Sequence, residues 1–152
     1  YFICYIVMEE TMKIKRMTSI SIFAALICIS TVILPAIPIF GIPVTLQTFM
    51  IMVTALLLKP IDAFLAVMIY ILMGIMGLPV FSGFKSGFDT ILGPTGGFIV
   101  SFPFAAYFIS LFKGNFNILR LLIVNFLFGI IFVYLIGAAF MAFYSKANYF
   151  NA

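Results

Sequence analysis

The residues best suited to hold a small molecule are Gly93-Pro94-Thr95-Gly96-Gly97-Phe98, which open a long apolar run. The glycines and the proline keep the first residues off the regular α path, and glycine lets another chain or a ligand approach the backbone closely. In a bilayer, irregular backbone persists only where protein covers it or where it lines a wet cavity. The unpaired N–H groups and positive dipole end of a helix starting here favour a carbonyl or carboxylate oxygen. Thr95 adds a hydroxyl, and Phe81, Phe84, Phe88 and Phe98 offer apolar walls. A small neutral-to-anionic organic molecule suits such a cup better than an ion does.

Four other polar positions compete for a role. Gln47 lies one turn inside an apolar run, where an unpaired amide is costly, so it either bonds a neighbouring helix or faces a cavity. Lys85 and Asp89 stand in the longest polar loop, residues 79–93, as a solvated pair or as contacts for a polar ligand above the membrane. Asp62, in Lys59-Pro60-Ile61-Asp62, reads as a helix-start residue rather than a proton carrier.

Much chemistry is excluded. The chain has no histidine, and Cys4 and Cys28 have neither a metal-type nor a disulfide-framework spacing. Zinc sites, haem sites and imidazole triads lose their usual ligand or base. No acid or base lies near the centre of an apolar run, and no Gly-x-x-x-x-Gly-Lys-Ser/Thr loop is present. The residues therefore assign no catalytic group, no metal ligand and no bound cofactor, and the chain is not read as an enzyme. Uphill transport of a solute would need a partner to supply the energy. The net charge of +4 comes from basic residues spread along the chain, so it makes no nucleic-acid patch.

The elements that must position these groups follow from composition. Hydrophobic residues make up 66% of the chain and charged residues 8%, against about 25% charged in soluble domains. Unbroken apolar runs favour helices over a strand-built barrel, and the length allows about five crossings. The expected fold is an all-α integral membrane protein with spans near 17–34, 45–58, 62–78, 95–112 and 118–143. Residues 1–16 read as a loose N-terminal extension, and 17–152 as one membrane domain. The three prolines of 35–43 form an outer loop. Lys13, Lys15, Arg16, Lys59, Lys113 and Arg120 fall on one side and Lys85 and Lys146 on the other, which places the N-terminus in the cytoplasm. Ser21-Ala25 and Ala24-Cys28 give the first span a small-residue face for packing within the chain or for docking a partner.

Three stretches together resemble the BioY family of biotin transporters: Ile42 to Phe49, Gly74 to Gly83 and Gly93 to Phe98. The resemblance runs from about Met17 to about Tyr144. It implies a six-helix, multi-pass plasma-membrane protein that binds biotin from outside. It also implies a transmembrane scaffold subunit and two ATPase subunits as partners. In that family the loop after the third helix and the Gly-Pro-Thr-Gly-Gly turn contribute to the pocket. Carried over, this singles out Gly93, Pro94, Thr95, Gly96 and Gly97 for substrate, with Gln47 and Lys85 beside them. Ser21, Ala24, Ala25 and Cys28 would face the scaffold. Family members continue into a sixth helix opened by a Pro-Gly-Asp-like segment, which this sequence does not reach. The alternative expectation is a non-binding remnant or a membrane scaffold protein.

Overall fold

The computed structural model describes residues 2–33, 37–39, 42–44, 46–114 and 117–150. The described residues are helical apart from loops and one small hairpin. The order is α1 (Phe2–Ile33), β1 (Ile37–Ile39), β2 (Ile42–Val44), α2 (Leu46–Leu57), α3 (Pro60–Ile75), α4 (Phe88–Leu92), α5 (Gly96–Phe112), α6 (Ile118–Val124), a π-helical segment (Asn125–Phe132) and α7 (Val133–Phe150). The apolar runs became helices close to the expected positions. The proline-rich loop instead contains an antiparallel pair in which Ile37 faces Val44 and Ile39 faces Ile42. Residues 34–36, 40 and 41, Thr45, Asn115, Phe116, Tyr1, Asn151 and Ala152 lie outside the described residues.

Helix α1 runs unbroken through the stretch set aside as an extension. From Met8 to Thr18 its side chains are exposed, and burial begins at Ile20. Ile20, Ala24, Ile27 and Thr31 then form a stripe at helical spacing that packs on α2 and α3. Of the proposed small-residue face, Ala24 and Cys28 are therefore inside the bundle, while Ser21 and Ala25 point outward.

Helix α3 starts and stops where its residues dictate. Pro60 occupies the first turn, where a missing N–H costs nothing, and Asp62 sits beside it at the positive dipole end. At the other end Gly77 adopts φ +105°, the left-handed region. The Gly77 N–H donates to the Gly74 carbonyl at 3.2 Å and the Leu78 N–H to the Met73 carbonyl at 3.2 Å, closing a Schellman cap. Ala63, Ala66, Val67, Tyr70, Ile71 and Gly74 line the buried face.

Helix α5 is the centre of the bundle, touching α2, α3 and α7; Ile99, Phe102, Ala105, Ala106 and Ile109 are buried, while Val100, Phe104 and Leu111 stay exposed. The π-helical segment lies against it. Phe128 stacks on Phe112 with centroids 5.3 Å apart and on Phe108 at 5.5 Å. Asn125 opens the segment by donating its side-chain Nδ2 to the Leu121 carbonyl at 2.9 Å, while its Oδ1 is buried without a partner among the described residues.

Large apolar side chains such as Ile22, Leu72, Leu122 and Phe126 cover the outer surface. A water-facing protein rarely exposes apolar area on this scale, whereas lipid is its natural cover. Two helical stretches, Met8–Thr31 and Ile118–Lys146, are long and apolar enough to cross a membrane. The apolar helices α2, α3 and α5 are 12, 16 and 17 residues long.

Candidate functional site

One end of the bundle is tied together by backbone carbonyls and charge. Arg16 Nε donates to Asp62 Oδ1, so the helix-start acid is also half of an ion pair. Lys113 Nζ reaches the carbonyls of Ala55 at 3.2 Å, Leu56 at 2.9 Å and Leu58 at 2.5 Å. The Ser110 hydroxyl adds a bond to Leu58 at 2.6 Å. These contacts satisfy the orphan acceptors at the end of α2. Burial pulls the Lys113 pKa below the ordinary lysine value, and the three acceptors work against this by holding the ammonium form. Arg120 Nε caps α5 in the same way, on the Phe112 carbonyl at 3.0 Å.

The opposite end carries the sequence-predicted site. After α3 the chain makes a tight loop in which the Phe81 N–H donates to the Lys85 carbonyl at 3.0 Å. The Gly87 N–H then donates to the Gly74 carbonyl at 2.8 Å, fastening the loop to the end of α3. Phe81 is the anchor: its ring lies over Gly74, which has no room for a Cβ, and meets Tyr70 edge-on at 5.8 Å. Phe84, at φ +58°, and Phe88 stand exposed, as does Lys85. The described residues show no ion pair between Lys85 and Asp89.

Helix α4 follows, and the Gly93-Pro94-Thr95 turn reverses the chain into α5. The Gly96 N–H donates to the Gly93 carbonyl at 3.0 Å. Both the Phe98 and Ile99 N–H groups point at the Thr95 carbonyl, at 3.2 and 3.4 Å. Thr95 is the N-cap residue, yet its hydroxyl turns back to the Thr90 carbonyl at 3.4 Å and leaves the first turn of α5 uncapped by a side chain. Thr95 and Pro94 are exposed.

The glycines of this turn have a local reason. A Cβ on Gly96 would fall on the Ile91 carbonyl oxygen. A Cβ on Gly97 would strike Phe140 Cβ and lie 3.3 Å from the Ile136 carbonyl, so α7 presses on the helix start. Gly137 returns the favour, receiving the Phe98 ring. The close approaches that the sequence reserved for a ligand or another chain are filled by α4 and α7 of the same chain. Gly93 is looser, with the Asp89 carbonyl at 3.2 Å from its ideal Cβ.

Gln47 is 3% exposed, and its Nε2 donates to the Tyr70 hydroxyl at 2.7 Å. That hydroxyl donates in turn to the Val80 carbonyl at 3.1 Å. The amide thus bonds a neighbouring helix, one of its two expected fates. The structure brings Gln47, Tyr70 and the 80–87 loop together, and Gly93 to Gly97 into one turn. Lys85 joins the first group through its backbone, with its side chain outward. Sequence reasoning missed Tyr70 altogether; a tyrosine in the middle of an apolar run, needing a partner for its hydroxyl, was the available signal. Among the described residues no cluster of acids, cysteines or histidines could hold a metal ion.

Similarity to known proteins identifies the family. The model of the BioY family matches residues 8–152. A probable biotin transporter BioY of Pyrococcus horikoshii is 37% identical over 86% of this chain and 76% of its own length. Its Bacillus subtilis counterpart is 35% identical over 87% of this chain and 73% of its own. The crystal structure of an S-component for biotin from an ECF-type ABC transporter superposes with a TM-score of 0.81 at 33% identity, covering 90% of this chain and 76% of that one. By its family match, its relatives and its fold, this chain belongs to the BioY family.

Proposed function

We infer that this chain is the membrane-embedded, biotin-binding component of an energy-coupling-factor importer. The observation that carries the reading is the likeness to the biotin S-component over 90% of the chain, at an identity well above that of mere fold similarity. The site chemistry supports it. Biotin presents a carboxylate, a urea carbonyl and apolar rings. The start of α5, uncapped by a side chain, offers its positive dipole end to an oxygen, and Thr95, Lys85, Phe84 and Phe88 are exposed. Gln47 and Gly93 to Gly97 complete the proposed binding set.

The reading also fixes an orientation. Arg16, Lys113 and Arg120 are engaged at the end of the bundle remote from the Gly93–Gly97 turn. With basic residues retained in the cytoplasm, the N-terminus is inside and the turn faces outward in the plasma membrane. No residue of the described spans supplies an ion relay, so a scaffold subunit and ATPase subunits drive the cycle. The outward pair Ser21 and Ala25 remains available for docking the scaffold, while Ala24 and Cys28 serve packing within the chain.

Equilibrium binding of labelled biotin to the purified protein tests this reading, with thiamine and riboflavin as competitors. Saturable binding displaced by biotin alone is expected. Thr95→Val should weaken it, and the lipid-facing control Leu119→Ala should not. Absence of saturable biotin binding by the wild-type protein would sink the proposal.

A further inference from the structure

Tyr70 is the one fully buried tyrosine among the described residues, and its hydroxyl serves both of its partners across three elements. It accepts from the Gln47 amide on α2 at 2.7 Å and donates to the Val80 carbonyl at 3.1 Å. Val80 opens the loop that Phe81 anchors, and the Phe81 ring sits on Tyr70 and on Gly74, one helical turn further along α3. A phenol can act as donor and acceptor at once, and no apolar residue of its shape can. Loss of the hydroxyl would leave a buried amide N–H and a buried carbonyl unpaired together.

We propose that Tyr70 is a positioning residue that couples the Gln47 amide to the loop of residues 80–87. A ligand that fixes the Gln47 amide thereby steadies the loop, and an ordered loop in turn holds Gln47 ready. The coupling is reciprocal, as any linkage between two binding events must be. The inference rests on the reading of this end of the bundle as the biotin site, yet its first part concerns only the chain itself. The loop carries what such motion needs. Gly83 and Gly87 within it lie at positive φ, and the loop is held by backbone bonds and by Phe81 rather than by ion pairs.

Hydrogen exchange of the Phe81 and Gly87 amides, with biotin dissociation measured in parallel, tests the coupling. These two N–H groups are protected by the Lys85 and Gly74 carbonyls and report loop opening directly. The comparison is between wild type, Tyr70→Phe and Gln47→Leu. Each substitution is expected to speed exchange at both amides by about tenfold, the scale of one lost buried hydrogen bond, with amides in the middle of α5 unchanged. Biotin should slow exchange at both amides in wild type and leave it nearly unaltered in Tyr70→Phe, whose biotin dissociation should be about tenfold faster. If Tyr70→Phe fails to fold, Gln47→Leu carries the test, since it leaves the phenol and its bond to Val80 in place. Loop exchange indifferent to Gln47→Leu would overturn the coupling, and so would equal acceleration throughout α5. Wild type that fails to bind biotin while its loop still responds to both substitutions would leave the coupling standing and remove the biotin reading.

Discussion

Gly96→Ala is the sharpest perturbation of the turn, because the added atom has nowhere to go. Its ideal Cβ would clash with the Ile91 carbonyl oxygen and lies 2.6 Å from the Ile91 carbonyl carbon and 3.2 Å from its Cα, all of them backbone atoms. A flexible side chain could rotate away, but here α4 or the start of α5 must move. Alanine in place of glycine should favour helix by up to about 1 kcal/mol. Overpacking against backbone costs about 1–3 kcal/mol or more, so a net loss of about 1–2 kcal/mol is expected. Gly93→Ala supplies the internal comparison: its nearest neighbour is the Asp89 carbonyl oxygen at 3.2 Å, which a few tenths of an ångström would relieve. Its effect should stay within about 0.5 kcal/mol. Thermal unfolding of both variants in the same detergent, followed by tryptophan-independent far-ultraviolet circular dichroism, ranks them. Biotin binding should fall more in Gly96→Ala than in Gly93→Ala, since displacement of α4 moves the Thr90 carbonyl that holds the Thr95 hydroxyl. A Gly96→Ala protein as stable as wild type, or a larger loss for Gly93→Ala, would refute the reasoning.

Other perturbations probe the frame around the site. Arg16→Met leaves Asp62 with its side chain 8% exposed and unpaired, and Arg16 itself is half in solvent; a loss of about 1–3 kcal/mol in chemical denaturation is expected, with Asp62→Asn milder. Lys113→Met strips the carbonyls of Ala55, Leu56 and Leu58 of their shared donor and should lower the unfolding midpoint by an amount equivalent to about 1–3 kcal/mol, while Lys59→Met, whose residue is exposed, should do little. Asn125→Leu removes the buried unpartnered Oδ1 together with the Nδ2 bond to the Leu121 carbonyl and should leave the protein equally or more stable by about 1 kcal/mol; a marked loss in thermal unfolding would refute this.

The helices were legible because lipid demands unbroken apolar runs, and the ends of α3 were legible because Pro60, Asp62 and Gly77 each have a positional reason. The hairpin of 37–44 was not legible. Prolines that forbid a helix do not say whether the loop pairs with itself. The side-chain partners were hidden for a different reason. Gln47 and Tyr70 are 23 residues apart and Arg16 and Asp62 are 46 apart, so no local pattern records either meeting. The π-helical segment also escaped, because its residues are as apolar as those of the helix on either side and only the Asn125 side chain marks its start. The turn at Gly93 was conspicuous in the sequence. The physical cause of its glycines, the backbone of α4 at Gly96 and α7 at Gly97, depends on packing that no spacing rule contains.

The two ends of the bundle are built from different materials, and this bears on how the molecule could work. At one end a cation sits on helix-terminal carbonyls and an ion pair ties α1 to α3, contacts that lose several groups at once if the helices part. At the other, the loop between α3 and α4 is held by single backbone bonds, one aromatic anchor and a buried phenol, each of modest net worth. Local opening takes the path that breaks the fewest contacts. Opening of the site end should therefore leave the charged end intact. A binder that must capture a solute and later release it needs this asymmetry: a stable frame, and a small element whose closure costs little enough to be reversed by a partner.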